Sequence, residues 1–179
     1  MNNTAKKGCA IGCFGLIALI IIILIIAASI DSNNSGDKKG ASKKALDTSL
    51  PIVERLEYAV LGTLGENNNM SKSRAISVIN NSNNVTISFM SDESSGSYSS
   101  LESDIVDVLE SIKDIENLNT ITISAQAMFV DKYGNTFTDN GLTINIDKSE
   151  IDKINFEKFN YDQLKLIVNS YSLHPAYKK

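Results

Sequence analysis

The chain has 179 residues, a formal net charge of −4 and 42% hydrophobic residues, which are unevenly spread along it. That length holds one ordinary domain and excludes a large multidomain enzyme. A single apolar block excludes a multi-span transporter, ten glycines exclude a collagen-like chain, and two cysteines, both near the amino terminus, exclude a disulfide-built scaffold.

Residues 1–8 form a short basic head with Lys6 and Lys7. Residues 9–30, Cys9 to Ile30, then run for 22 positions without a charge. At about 1.5 Å per residue such a helix reaches about 33 Å, the thickness of a bilayer core. Only a helix satisfies its own backbone in lipid as a single segment. The run has no polar stripe, which sets it apart from a soluble amphipathic helix. It is also longer than the apolar core of a cleaved signal peptide, although Ala27-Ala28-Ser29 supplies small residues at its end. Cys9 and Cys13 precede the apolar run, the wrong order for a lipoprotein anchor. The reading is an uncleaved single-pass anchor through the lipid bilayer. Its basic head lies inside and the carboxyl-terminal domain is extracytoplasmic.

Residues 31–49 are rich in Ser, Asn, Gly and Lys and read as a flexible linker. The span 50–179 reads as the folded domain. Ile52, Leu56, Ala59 and Val60 share one helical face behind Pro51, so a helix is predicted over 50–66. Ile76 and Val78 alternate, as do Val85, Ile87 and Phe89, and the asparagine-rich stretch 80–84 between them signals a hairpin. Ser99 and Glu102 have capping-box spacing ahead of an apolar stripe through Leu101, Ile105, Val108, Leu109 and Ile112. Asp104, Asp107, Glu110 and Asp114 are assigned to the solvated face of that helix. Ile121, Ile123, Ala125, Ala127 and Phe129 alternate along a strand, and residues 131–135 turn it. Leu142, Ile144 and Ile146 return, with Gly141 bulging or opening that second strand. Asp147 and Glu150 mark a short helical turn, a last helix is placed over about 160–170, and Pro175 stops it. The fold class is therefore α+β: an amino-terminal transmembrane helix plus a small antiparallel sheet with helices packed on one face.

Chemistry-bearing patterns are sparse. The single histidine, His174, lacks neighbours at metal-ligand spacing, and no Gly-x-Ser-x-Gly or phosphate-binding glycine loop occurs. No catalytic residue, cofactor or metal is assigned, and the protein is not expected to be an enzyme. From Ala45 onward, 11 Lys and Arg face 19 Asp and Glu, a balance that disfavours nucleic acid. No small-molecule substrate is implied either. Phe156, Phe159, Tyr161, Tyr171 and Tyr177 gather near the carboxyl end and are the candidate contacts for a protein partner at the envelope.

The layout as a whole is a basic head with Lys6-Lys7-Gly8-Cys9, one apolar anchor, a Ser/Asn/Lys tether and one cysteine-free domain. It resembles the small membrane-anchored superinfection-exclusion proteins of prophages in low-GC Gram-positive bacteria. That resemblance implies a membrane-held protein that stops a second phage from passing its DNA into the cell while leaving adsorption alone. It carries over no functional residue. The other reading of the layout is an accessory subunit of a conjugation or secretion apparatus, or a secreted wall-associated protein.

Overall fold

The computed structural model describes residues 38–92 and 97–177. The head, the predicted span 9–30 and the first part of the linker lie outside these residues. Among the described residues no helix is long and apolar enough to cross a membrane.

Two helices open the domain, α1 (Lys38–Ala45) and α2 (Ile52–Leu64). The first is a departure from expectation, because the composition of 38–45 predicts a tether. Its helix buries Ala41 and Ala45, two small residues one turn apart, against α2. Gly62 on α2 makes the close approach possible: a Cβ there would lie 2.6 Å from Ser42 Oγ and 2.8 Å from Ser42 N. Small residues that let two backbones meet leave no hydrophobic signature, so a Ser/Gly/Lys-rich helix reads as linker.

Strands β1 (Ser77–Asn81) and β2 (Asn84–Met90) form the predicted hairpin. Its two-residue loop, Ser82-Asn83, has positive φ at both positions, the backbone twist that suits a tight hairpin. Helix α3 (Ser99–Ile112) follows, then β3 (Thr120–Val130) and β4 (Thr136–Asp147) as a second hairpin. The register of that pair shifts at Ala125/Gln126, leaving Gly141 as the extra residue of a bulge. A Cβ at Gly141 would stand 2.7 Å from Leu101 Cδ1, so the bulge brings the sheet backbone directly under α3.

The sheet runs in the order β1-β2-β3-β4-β5. It is mostly antiparallel, but β2 and β3 are parallel, with Val85 opposite Ile121 and Phe89 opposite Ala125. This corrects the all-antiparallel expectation. A helix the length of α3 between two neighbouring strands lets the chain return in the same direction, whereas a hairpin turn would reverse it. The second correction is at the carboxyl end. The helix placed over 160–170 shrinks to a 3-10 turn (Tyr161–Gln163) and the one-turn α5 (Leu164–Ile167), following the one-turn α4 (Lys148–Ile151). The chain then adds β5 (Ser170–Leu173) to the open edge of β4. Four residues of alternating Ser, Tyr, Ser and Leu are too few to signal a strand unless a partner edge is known.

One sheet face is apolar and carries the core. Val85, Ile87, Phe89, Ile121, Ile123, Ala125, Leu142, Ile144 and Ile146 are buried there in one cluster with Leu56 and Val60 of α2 and Leu101, Ile105, Leu109 and Ile112 of α3. The opposite face is polar. There Ser124 and Thr143 share a hydroxyl contact of 3.1 Å, and Asn145 Nδ2 donates to Thr122 Oγ1 at 2.9 Å.

Candidate interaction surface

Beyond the bulge, β3 and β4 outrun the strands beside them. The last β2 partner of β3 is Gln126, and β5 reaches only Leu142 of β4. From there to the turn, the two strands pair with each other alone, and residues 132–140 are all exposed. A two-stranded ribbon is marginal by itself. Here it is buttressed at its base. Phe129 stacks on His174 with ring centroids 3.9 Å apart and meets Tyr177 edge-on at 5.6 Å. Tyr177 in turn meets Tyr98, at the start of α3, at 6.1 Å.

The tip is held by its own hydrogen bonds. Asp131 Oδ1 accepts the backbone N–H groups of Tyr133 and Asn135, each at 2.8 Å, while Asn135 Nδ2 donates to Asp131 Oδ2 at 3.1 Å. Gly134 supplies the left-handed residue, φ +85°, that the turn requires. Those bonds, led by the Asn135 side chain, hold the Asp131 carboxyl below its ordinary value. The hydrogen-bonded tip presents Tyr133 at 77% exposure, with Val130 (66%) on one face of the ribbon and Phe137 (43%), tilted on Phe129 at 5.9 Å, on the other. Lys132 Nζ lies 4.9 Å from the Tyr133 ring centroid. Apolar and aromatic surface on a pre-ordered turn is the composition of a protein contact, since little entropy is lost on docking.

The aromatic residues singled out in the sequence do not form one patch. Tyr177 belongs to the buttress just described. Tyr171 on β5 donates its hydroxyl to Glu102 Oε1 at 2.7 Å, and burial, reinforced by that bond, raises its pKa far above the usual phenol range. Phe156 packs against the core with Lys113 Nζ 5.5 Å above its ring. Lys113 follows the end of α3 whereas Tyr98 precedes its start, so about 21 Å of helix separates the two groups. Phe159 is half-buried and Tyr161 is 40% exposed at the start of the 3-10 turn. Of the five, Tyr177 is the one whose ring meets the buttress rings Phe129 and Tyr98. Sequence reading missed Val130 and Phe137 because nothing local says where neighbouring strands stop. The turn 131–135 was legible, and a β3–β4 pair several residues longer than β1–β2 was the signal available.

The polar interior of the domain is internally satisfied. Arg74, 3% exposed, donates from Nη2 to Asp92 Oδ1 at 2.6 Å and from Nη1 to Met90 O at 2.9 Å, and its Nη1 stands 3.5 Å from Asp104 Oδ2. Asp104 also accepts the Ser91 hydroxyl at 2.5 Å and the Asp92 N–H at 2.9 Å. This corrects the assignment of Asp104 to the solvated face of α3. It faces inward because Arg74, thirty positions earlier in the chain, supplies the countercharge. Burial raises the Asp104 pKa in spite of these three partners. Glu102 likewise does not close a capping box; α3 starts with no side-chain cap bond, and Glu102 is the buried acceptor of Tyr171. His174 Nδ1 accepts the Ala176 N–H at 3.2 Å, and Nε2 stands 3.7 Å from Asp139 Oδ2. Among the described residues no three His, Cys, Asp or Glu side chains are placed to hold a metal.

Compared with known proteins, the chain matches no family model, no curated protein and no solved structure. The functional reading therefore stands on the chain's own residues.

Proposed function

We propose that the protein is a single-pass, membrane-anchored binding module of the cell envelope. Its extracytoplasmic domain acts without catalysis, blocking a protein partner that an incoming phage needs to pass its DNA across the membrane. The observation that carries the binding role is the protruding β3–β4 hairpin, hydrogen-bonded at its tip and bearing Val130, Tyr133 and Phe137. The apolar block 9–30 supports the anchor. A non-catalytic role is supported by the carboxylates of the interior, since Glu102 and Asp104 are engaged by Tyr171, Ser91 and Arg74. Anchoring raises the domain's concentration at the membrane, so that a weak contact suffices to occlude a partner there.

The experiment is phage challenge of cells making the full chain or the triple variant Val130→Ser/Tyr133→Ser/Phe137→Ser. The wild type should reduce DNA injection and plaque number with adsorption unchanged. The variant should lose this while remaining folded and in the membrane fraction. Normal plaque counts for every phage tried would overturn exclusion. Co-purification of the full chain with a membrane complex, together with loss of DNA transfer on deletion, would replace it with the conjugation or secretion role.

A further inference from the structure

Strand β1 leaves one edge of the sheet open, and the functional reading has not used it. Among the described residues no strand pairs with that edge. The two-residue loop makes Asn81 and Asn84 the hydrogen-bonded pair that closes the hairpin, and such pairs alternate along antiparallel strands. Ser77, Ile79 and Asn81 therefore spend their backbone groups on β2, whereas Val78 and Asn80 each aim an N–H and a C=O at the open edge. Met90, two places beyond Ser88, keeps the same phase by donating its N–H to Arg74 O at 2.6 Å. The side chains alternate as well: Val78 is buried in the core, and Ile79 stands on the polar face at 63% exposure. Edge strands are ordinarily blunted by a lysine, a proline or a bulge, and Ser-Val-Ile-Asn-Asn contains none of these.

We propose that β1 pairs with β1 of a second copy of this chain, antiparallel about a two-fold axis at Ile79, joining two five-stranded sheets into one. The inference is independent of the anchored reading above. Charge selects the occupant. From Ala45 onward, acidic residues outnumber basic ones by 19 to 11, so two copies repel each other over most of their surface. Residues 75–91, which include β1 and β2, run for 17 positions without a charge, and along this edge two copies can approach. The register follows from the outward groups. Val78 N–H donates to Asn80 O of the copy, the copy's Asn80 N–H donates back to Val78 O, and symmetry doubles these to about four bonds. Ile79 then faces Ile79 of the copy as a non-hydrogen-bonded pair, with Cα atoms about 4.5 Å apart, and each isoleucine covers the other. Ser77 faces Asn81 of the copy. The other edge lacks these features: β5 is four residues long, turns Ser170 and Ser172 to the polar face, and runs toward Pro175. One pair of such short strands buries less than the roughly 1,200 Å² of a stable interface, so the dimer is weak and reversible. Because the axis reverses strand direction, the two β3–β4 hairpins point opposite ways, and one dimer offers two separate tips.

The test is disulfide trapping of the full chain in whole cells, in the background Cys9→Ala/Cys13→Ala, which removes both native thiols. Under mild oxidation Ile79→Cys should yield a covalent dimer at least about tenfold faster than Thr86→Cys or Ser172→Cys, which are also exposed. In the paired state Thr86 lies three strand spacings, about 14 Å, from its mate, too far for a disulfide. Co-expressed Ser77→Cys and Asn81→Cys chains should cross-link to each other, and neither to itself. Adding Ile79→Lys to both sets two ammonium groups face to face and should reduce that cross-link at least about tenfold, while amide protection in β3 is kept. Equal rates at positions 79, 86 and 172 would mark random collision. Trapping fastest at Ser172→Cys would move the interface to β5, and no dimer at any position would remove self-association; each of these results overturns the proposal. Capture of a different protein by Ile79→Cys, in place of the second copy, would also overturn it and give the edge to that partner.

Discussion

Replacing Arg74 with methionine should destabilise the domain by about 3–5 kcal/mol, the usual result of removing one member of a buried ion pair. The structure gives the reasons for that size. Arg74 is 3% exposed and serves four acceptors: Asp92 Oδ1, Asp104 Oδ2, Met90 O and Leu64 O. Methionine keeps the stem and loses every donor. Two backbone carbonyls and the Asp104 carboxylate, whose side chain is 9% exposed, then stand buried without that partner. Asp92 contributes less than its 2.6 Å distance suggests, because its side chain is 35% exposed and water screens it. A domain of this size has about 5–15 kcal/mol in total, so the loss is a large fraction of it. In urea the midpoint should fall by roughly 1–3 M at an ordinary slope. The assay is urea denaturation of the unit Gly36–Lys179, followed by far-ultraviolet circular dichroism at several pH values. Burial already raises the Asp104 pKa, while Ser91, the Asp92 N–H and Arg74 lower it. A carboxyl with a raised folded pKa contributes stability that is present at low pH and is lost as pH climbs through the folded value. Without Arg74 that value rises further, so the deficit should widen as pH rises above the ordinary carboxylate range. Adding Asp104→Asn should recover part of it by removing the orphaned charge. A loss below about 1 kcal/mol, or a deficit that does not change with pH, would refute the reasoning.

Other positions give sharper local readouts. Tyr171→Phe leaves Glu102 buried without its hydroxyl donor and should lower stability by about 1–3 kcal/mol in the same assay. Because Tyr171 holds its proton far above the ordinary phenol value of 10.0, wild-type stability should fall as pH rises beyond about 10, where the unfolded phenol ionises and the folded one does not. The Phe variant should show a flatter alkaline limb. Gly62→Ala drives a Cβ to within 2.8 Å of Ser42 N, so α1 should detach from α2, seen as fast amide exchange over residues 38–45 while β3 remains protected. Gly141→Val should cost about 1–3 kcal/mol by pushing Leu101 out of its seat above the bulge, read as a lower thermal midpoint. Tyr133→Ser, fully on the surface, should change stability by less than about 0.5 kcal/mol yet weaken partner capture, which separates contact from folding.

The amino-acid order by itself determined the soluble elements whose burial repeats along the chain. The stripe from Leu101 to Ile112, the alternation from Ile121 to Phe129 and the asparagine-bearing turn at 82–83 were each legible, because period and turn chemistry are properties of neighbouring residues. The apolar run 9–30 is a feature of the sequence and lies outside the described residues. Tertiary structure decided what depends on distant partners. The lysine-rich stretch 38–45 became a helix only because Gly62 lets it nest, and residues 170–173 became a strand only because β4 had an open edge. Asp104 and Glu102 carry the same charge and the same helical spacing as solvated neighbours. Arg74 and Tyr171, 30 and 69 positions away, are what turned them inward. Nor could the protrusion of the β3–β4 hairpin be read locally, since a strand's free length is set by where its neighbours end. A buried polar group needs a partner at about 3 Å, and which residue folding brings to that distance is not written in the residues beside it.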